Sequence, residues 1–147
     1  MKICITASEG GHLTEIMYLK SVFGKYEFFV VSYLHPRVQG LPYTKYMIPL
    51  FTRNVLNIFP ALWIVFRAFL KERPQVVIST GSEVAIPVFV MAKLFRVRTV
   101  YIETIASFAT VSLTGRLLYP FADKFYVQNQ ESLKNYGPRA EFHGGIL

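Results

Sequence analysis

Cysteine occurs once in these 147 residues, at Cys4, and aspartate once, at Asp123. A lone thiol builds neither an intrachain disulfide nor a cysteine-rich zinc site, and it fits a reducing compartment. A lone aspartate cannot form an Asp-x-Asp metal clamp, so we expect no metal and no paired-aspartate chemistry. Long apolar runs are also missing: the longest uncharged stretch, residues 54–66, has 13 residues, against the roughly 20 that a helix needs to cross a bilayer. The start, MKICITASEGGHL, lacks the apolar core and small-residue cleavage site of a signal peptide, which predicts a cytoplasmic protein. Neither G-x-G-x-x-G nor G-x-x-x-x-G-K-[ST] is present, so the sequence carries no dinucleotide or nucleoside-triphosphate fingerprint and we expect no cofactor.

What is abundant is apolar and basic. Apolar residues make up 52% of the chain and aromatics 16%, enough for one domain, residues 1–147, with a sizeable core. Sixteen Lys and Arg against nine acids give a formal charge of +7, which favours an anionic partner such as phosphate or acidic lipid. The positive charges read as scattered and no aromatic-basic recognition motif accompanies them, so nucleic acid is not expected.

Hydrophobic periodicity predicts strands at residues 2–7, 27–33, 45–48, 75–79, 98–102, 124–128 and 140–143. Helices are predicted after the first glycine loop, at 58–71 with Asn57 as N-cap, at 84–95, near 114–119 and at 131–136. Strands that alternate with helices, several apolar on both faces, indicate an α/β, Rossmann-like parallel sheet covered on both sides.

Ligands of such sheets bind beyond the carboxyl ends of the strands, which directs attention to three loops: residues 8–12, 79–83 and 103–104. Gly10 and Gly11 allow close backbone approach at a helix N-terminus, a place suited to an anion, although a Gly-Gly turn also serves plain backbone geometry. His12 is positioned either as a general base or as a solvated turn histidine. Gly81 and Ser82 repeat the device, and Glu83 suits sugar hydroxyls or the helix dipole. Glu103 closes an apolar strand, where a carboxylate is hard to accommodate except at a cleft. The 58–71 helix is apolar nearly all round. Either the core takes it, or part of it, with Trp63, Phe66 and Arg67, rests in a membrane interface.

The motifs Ser8-Glu9-Gly10-Gly11-His12-Leu13, Val77-Ile78-Ser79-Thr80-Gly81-Ser82-Glu83, Tyr101-Ile102-Glu103-Thr104 and Ser112-Leu113-Thr114-Gly115-Arg116-Leu117-Leu118-Tyr119-Pro120, with Ala122-Asp123 and Val127-Gln128, resemble the PssD-type bacterial polysaccharide-biosynthesis proteins of exopolysaccharide and capsule formation. Those in turn are similar to the membrane-associated subunit of the dolichol-linked GlcNAc transferase of asparagine-linked glycosylation. The resemblance runs over nearly the whole chain. It implies the N-terminal, acceptor-binding half of a GT-B glycosyltransferase, held peripherally on the cytoplasmic membrane face. The partners it implies are a separate donor-binding subunit, a UDP-sugar and a polyprenyl-diphosphate-linked saccharide acceptor. Carried over, Gly10, Gly11 and His12 become acceptor-phosphate or catalytic residues, Gly81, Ser82, Glu83 and Glu103 line the cleft, and His12 and Glu103 compete as base. Two other readings stay open: a non-catalytic membrane and acceptor adaptor, and a self-sufficient nucleotide-binding Rossmann protein.

Overall fold

A computed structural model of the chain describes residues 1–107 and 110–146. Phe108 and Ala109 of the small-residue loop after Glu103, and Leu147 at the end of the expected domain, lie outside the described residues.

Seven parallel strands form one sheet in the order β3-β2-β1-β4-β5-β6-β7. They are β1 Lys2–Thr6, β2 Glu27–Tyr33, β3 Lys45–Ile48, β4 Val76–Ser79, β5 Arg98–Ile102, β6 Lys124–Val127 and β7 Ala140–Phe142. The helices are α1 Gly11–Tyr18, α2 Lys20–Phe23, α3 Pro36–Gln39, α4 Ile58–Glu72, α5 Ala85–Leu94 and α6 Leu113–Leu118. Every strand foreseen from periodicity is present within one residue of its expected ends, and the Rossmann-like parallel sheet is borne out, but the expected cover on both sides is incomplete: the face carrying Ile78, Val100 and Tyr126 is open among the described residues. Alternation along the strands sorts the core onto two faces. Cys4, Phe29, Val31 and Val77 pack with Ala61, Val65 and Phe69 of α4 and Val88 and Phe89 of α5. Ile3, Ile5 and Val30 face the other way, onto Leu13 and Ile16 of α1 and Phe23 of α2.

The local readings needed four corrections. The helix after the glycine loop is two helices, parted at Leu19. The loop after β2 contains α3, started by Pro36 at its first turn and by His35, whose side chain accepts from the Arg37 N–H. Asn57 does not cap α4 with its side chain; it donates to the Leu50 carbonyl at 2.8 Å, while Asn54 caps the 3₁₀ turn Val55–Asn57 just upstream. The helix expected at 131–136 is a 3₁₀ segment, Glu131–Asn135.

Candidate functional site

β1 and β4 are neighbours whose connections leave in opposite directions, β1 toward β2 and β4 toward β5. A crevice opens at the carboxyl ends of such a pair, and the loops after β1 and β4 are its walls. Gly10 adopts φ +94°, a left-handed conformation in which a side chain would be strained. Nothing stands within 4 Å of where a Cβ would project from Gly10 or Gly11, so this lip is open. α1 begins at Gly11 with no side-chain cap, leaving N–H groups of its first turn to face the opening. Arg37, from α3, reaches over the loop: its guanidinium donates to the Gly10 carbonyl at 3.3 Å and to Thr14 Oγ1 at 2.9 Å.

His12 and Thr80 join the two walls. Thr80 Oγ1 donates to the His12 carbonyl at 2.8 Å, and His12 Nδ1 lies 2.9 Å from the Thr80 carbonyl. A carbonyl only accepts, so Nδ1 carries the proton, and in the neutral ring Nε2 holds the lone pair. Gly81, at φ +111°, lies under the same ring: a Cβ there would come within 3.1 Å of His12 Cε1 and 3.3 Å of the Tyr101 hydroxyl. Ser82 follows at φ 73°, an uncommon conformation for a residue with a side chain, and its hydroxyl donates to Glu83 at 3.1 Å. The buried Tyr33 hydroxyl, at the end of β2, lies near Glu83 without a well-formed hydrogen bond. Burial, and then the nearby Glu83 and Glu9 carboxylates, push its phenol above the usual range.

Glu103 is only 1% exposed, and its carboxylate accepts three hydrogen bonds. Oε1 accepts from the Thr104 N–H at 3.1 Å; Oε2 accepts from Ser112 Oγ at 2.9 Å and from the Tyr136 hydroxyl. Burial together with this bond raises the Tyr136 phenol, and burial followed by the Glu103 charge raises that of Tyr101. Gly115 makes the cluster possible, because a Cβ there would collide with Glu103 Oε2, the Tyr136 hydroxyl and Ser112 Oγ. Beneath it a second buried acid, Glu15 of α1, accepts from Thr104 Oγ1 at 2.8 Å and from Gln128 Nε2 at 3.0 Å. Gln128 also donates to the Glu103 carbonyl at 3.1 Å. The glycine-loop helix is thereby tied to the ends of β5 and β6.

The structure brings Gly10, Gly11, His12, Gly81, Ser82 and Glu83 together at one crevice, with Glu103 in the wall beside it. The membrane candidates lie elsewhere, on α4. Trp63 is 60% exposed and Arg67 is exposed, whereas Phe66 is half-buried, stacked on Trp63 at 5.7 Å and leaning on Phe95. Ala61, Val65, Ala68 and Phe69 form the core face of the helix. Val55, Leu56 and Phe59 extend the exposed apolar surface upstream. None of the helices among the described residues is long and apolar enough to cross a membrane. No three His, Cys, Asp or Glu residues among them gather as a metal-ligand group.

Sequence reasoning missed Arg37, Glu15, Tyr33 and Tyr101. Arg37 sits in a stretch read as loop, and the other three became visible only once the sheet order placed strand ends side by side. A weak signal existed for Glu15: it interrupts the apolar face of α1 between Leu13 and Ile16, and a buried acid needs donors.

The architecture is that of a Rossmann-like α/β domain, the fold also seen in one half of GT-B proteins. The chain superposes on MurG of Acinetobacter baumannii with a TM-score of 0.77, at 15% identity, over 99% of this chain and 45% of that one. Within that class, the chain belongs to the family described as "Oligosaccharide biosynthesis protein Alg14 like", whose model matches residues 46–146. It is similar to the UDP-N-acetylglucosamine transferase subunit ALG14 of Yarrowia lipolytica, 34% identical over 52% of this chain and 38% of the relative. It is also similar to the human subunit of that name, 25% identical over all of this chain and 83% of the relative.

Proposed function

We propose that the chain is the acceptor-binding half of a two-chain UDP-sugar glycosyltransferase, working peripherally at the cytoplasmic face of a membrane on a polyprenyl-diphosphate-linked saccharide. The observation that carries this reading is the His12–Thr80 pair, which presents Nε2 beside an open glycine loop. In this reading the acceptor diphosphate lies over Gly10 and Gly11, against the first turn of α1, with Arg37 as its cation. Gly81, Ser82 and Glu83 form the opposite wall, and Glu83 accepts from saccharide hydroxyls. His12 Nε2 removes the proton of the attacking acceptor hydroxyl. That oxygen forms the new bond to the anomeric carbon as the bond to UDP breaks, so UDP leaves and the anomeric centre inverts. With its lone pairs already on Thr104, Ser112 and Tyr136, Glu103 acts as the anchor of the wall rather than as the base.

The donor half belongs to a separate chain, in keeping with the word "subunit" in the names of the relatives and with UDP-N-acetylglucosamine as donor. An apolar hollow of about 710 Å³ on the uncovered face of β4, β5 and β6, edged by Leu19, Val22 and residues 143–146, is the surface we assign to that partner. The decisive experiment measures transfer by the reconstituted pair with His12→Ala. We expect kcat to fall by roughly 10²–10⁴-fold while acceptor binding persists. If kcat and its acidic limb are unchanged, the chain is an adaptor whose partner carries the base.

A further inference from the structure

Four of the sixteen cations, three of them within the stretch 93–98, meet at the amino-terminal ends of β5 and β6, opposite the crevice. Lys93, Arg96, Val97, Arg98, Asp123 and Lys124 line an open depression of about 540 Å³. Four cations line it, and two carboxylates, Asp123 within and Glu141 just outside, offset two of them. Asp123 is committed to the fold: Oδ2 accepts from the Thr99 N–H at 2.8 Å and from Thr99 Oγ1 at 3.1 Å, and Oδ1 lies 3.1 Å from Lys93 Nζ. Lys124 meets Glu141 at 2.7 Å just outside. The Arg96 and Arg98 side chains are exposed, and neither guanidinium makes a salt bridge or side-chain hydrogen bond among the described residues.

Arg96 also stands where its backbone disfavours it. The chain leaves α5 through a turn in which the Val97 N–H reaches back to the Ala92 carbonyl at 2.8 Å, and Arg96 adopts φ 56°. Glycine is the usual occupant of that left-handed position, because any Cβ there is strained. The α5 C-terminus carries roughly half a negative unit charge, which accounts for Lys93 in its last turn but not for two further guanidiniums.

We propose that this depression is a binding site for a phosphate-bearing anion, with Arg96 and Arg98 as its donors. Guanidinium forks match phosphate oxygens two at a time, and a free pair beside two lysines supplies both the field and the geometry. The source is either a soluble phosphate compound or the headgroup of an acidic lipid.

The test uses the full chain carrying Arg37→Gln, which removes the cation assigned to the crevice's own diphosphate site, in two arms: calorimetric titration with pyrophosphate, and co-sedimentation with phosphatidylcholine vesicles made with or without phosphatidic acid. The variant is Arg96→Gly with Arg98→Gln. The glycine relieves the left-handed strain, so the thermal midpoint should stay level or rise and a folding defect will not mimic loss of the site. The control, Lys25→Gln with Lys134→Gln, removes the same two charges from exposed positions elsewhere. We expect the Arg96/Arg98 variant to weaken binding at least tenfold in one arm and the control to change it less than threefold. Loss in the pyrophosphate arm identifies a soluble ligand; loss confined to acidic vesicles identifies a headgroup. Absence of binding in both arms, or equal weakening by the control, overturns the proposal.

Discussion

Single residues decide whether the crevice is built correctly, and Glu103 shows how. Its carboxylate holds three donors, so Glu103→Gln turns one acceptor oxygen into a donor facing either Thr104 N–H or the Ser112 and Tyr136 hydroxyls. We expect a lower thermal midpoint with kcat in the folded fraction of the reconstituted pair reduced less than tenfold; a loss of 10²-fold or more at unchanged stability would restore Glu103 as base. Gly115→Ala should act on the same cluster by overpacking, costing about 1–3 kcal/mol in denaturant unfolding. Asp123 carries a pH signature. Burial opposes its ionisation, but the Thr99 amide, then Lys93 and the Thr99 hydroxyl, more than offset this and hold its carboxyl below the usual range. A lowered folded-state pKa contributes stability that is full above the unfolded value, about 3.9, and is lost as pH falls through the folded one. Asp123→Asn should therefore lower the midpoint at pH 6 and flatten its decline below pH 4, as followed by thermal melts across that range.

At the scale of elements, α4 packs one face on the sheet and leaves an apolar face exposed. Its small buried residues, Ala61 and Ala68, let it sit close to the sheet, and Val65 and Phe69 fill the contact. Trp63 and Phe59 project into solvent at 60% and 68% exposure. A soluble helix gains nothing from such side chains in water, at about 25 cal/mol for each Å² of apolar surface left uncovered. We expect Trp63→Ser with Phe59→Ser to abolish most co-sedimentation with anionic vesicles while leaving the fold intact. Phe66→Ser should lower stability as well, because Phe66 leans on Phe95 at the margin of the core. Equal vesicle binding by wild type and the Trp63/Phe59 variant would return α4 to a purely structural role.

For the whole molecule, the half-domain architecture governs the expectation for catalysis. In the proposed function the donor is held by a separate chain. Purified chain alone should therefore give negligible sugar transfer, and activity should appear on titration with a donor-binding partner. Val22→Asp, in the apolar hollow on the open sheet face, should weaken that association at least tenfold in a pull-down titration, because a desolvated carboxylate would face the partner. Robust turnover without any partner would sink the half-enzyme reading.

The sequence by itself determined the strands, because continuous apolar runs bounded by glycine, proline and polar turns leave few alternatives to a buried parallel sheet. It also determined the two glycine loops and His12, since a Gly-Gly-His turn after a strand is a local pattern. Tertiary structure decided what sequence separation hides. The order of the strands set the β1 and β4 ends side by side, so that His12 meets a carbonyl 68 residues away and acquires a defined tautomer. The same order sent Glu15 to Gln128, across 113 residues, and Arg37 to the glycine loop. It brought Lys124 beside Lys93, Arg96 and Arg98, which are already close in sequence. Glu103 marks the boundary: its burial is legible from the apolar strand before it, but only the fold supplies the donors that fix its role. Hydrophobic periodicity is a property of neighbours in sequence, whereas charge pairing and hydrogen bonding in a parallel sheet join residues that crossover connections hold far apart along the chain.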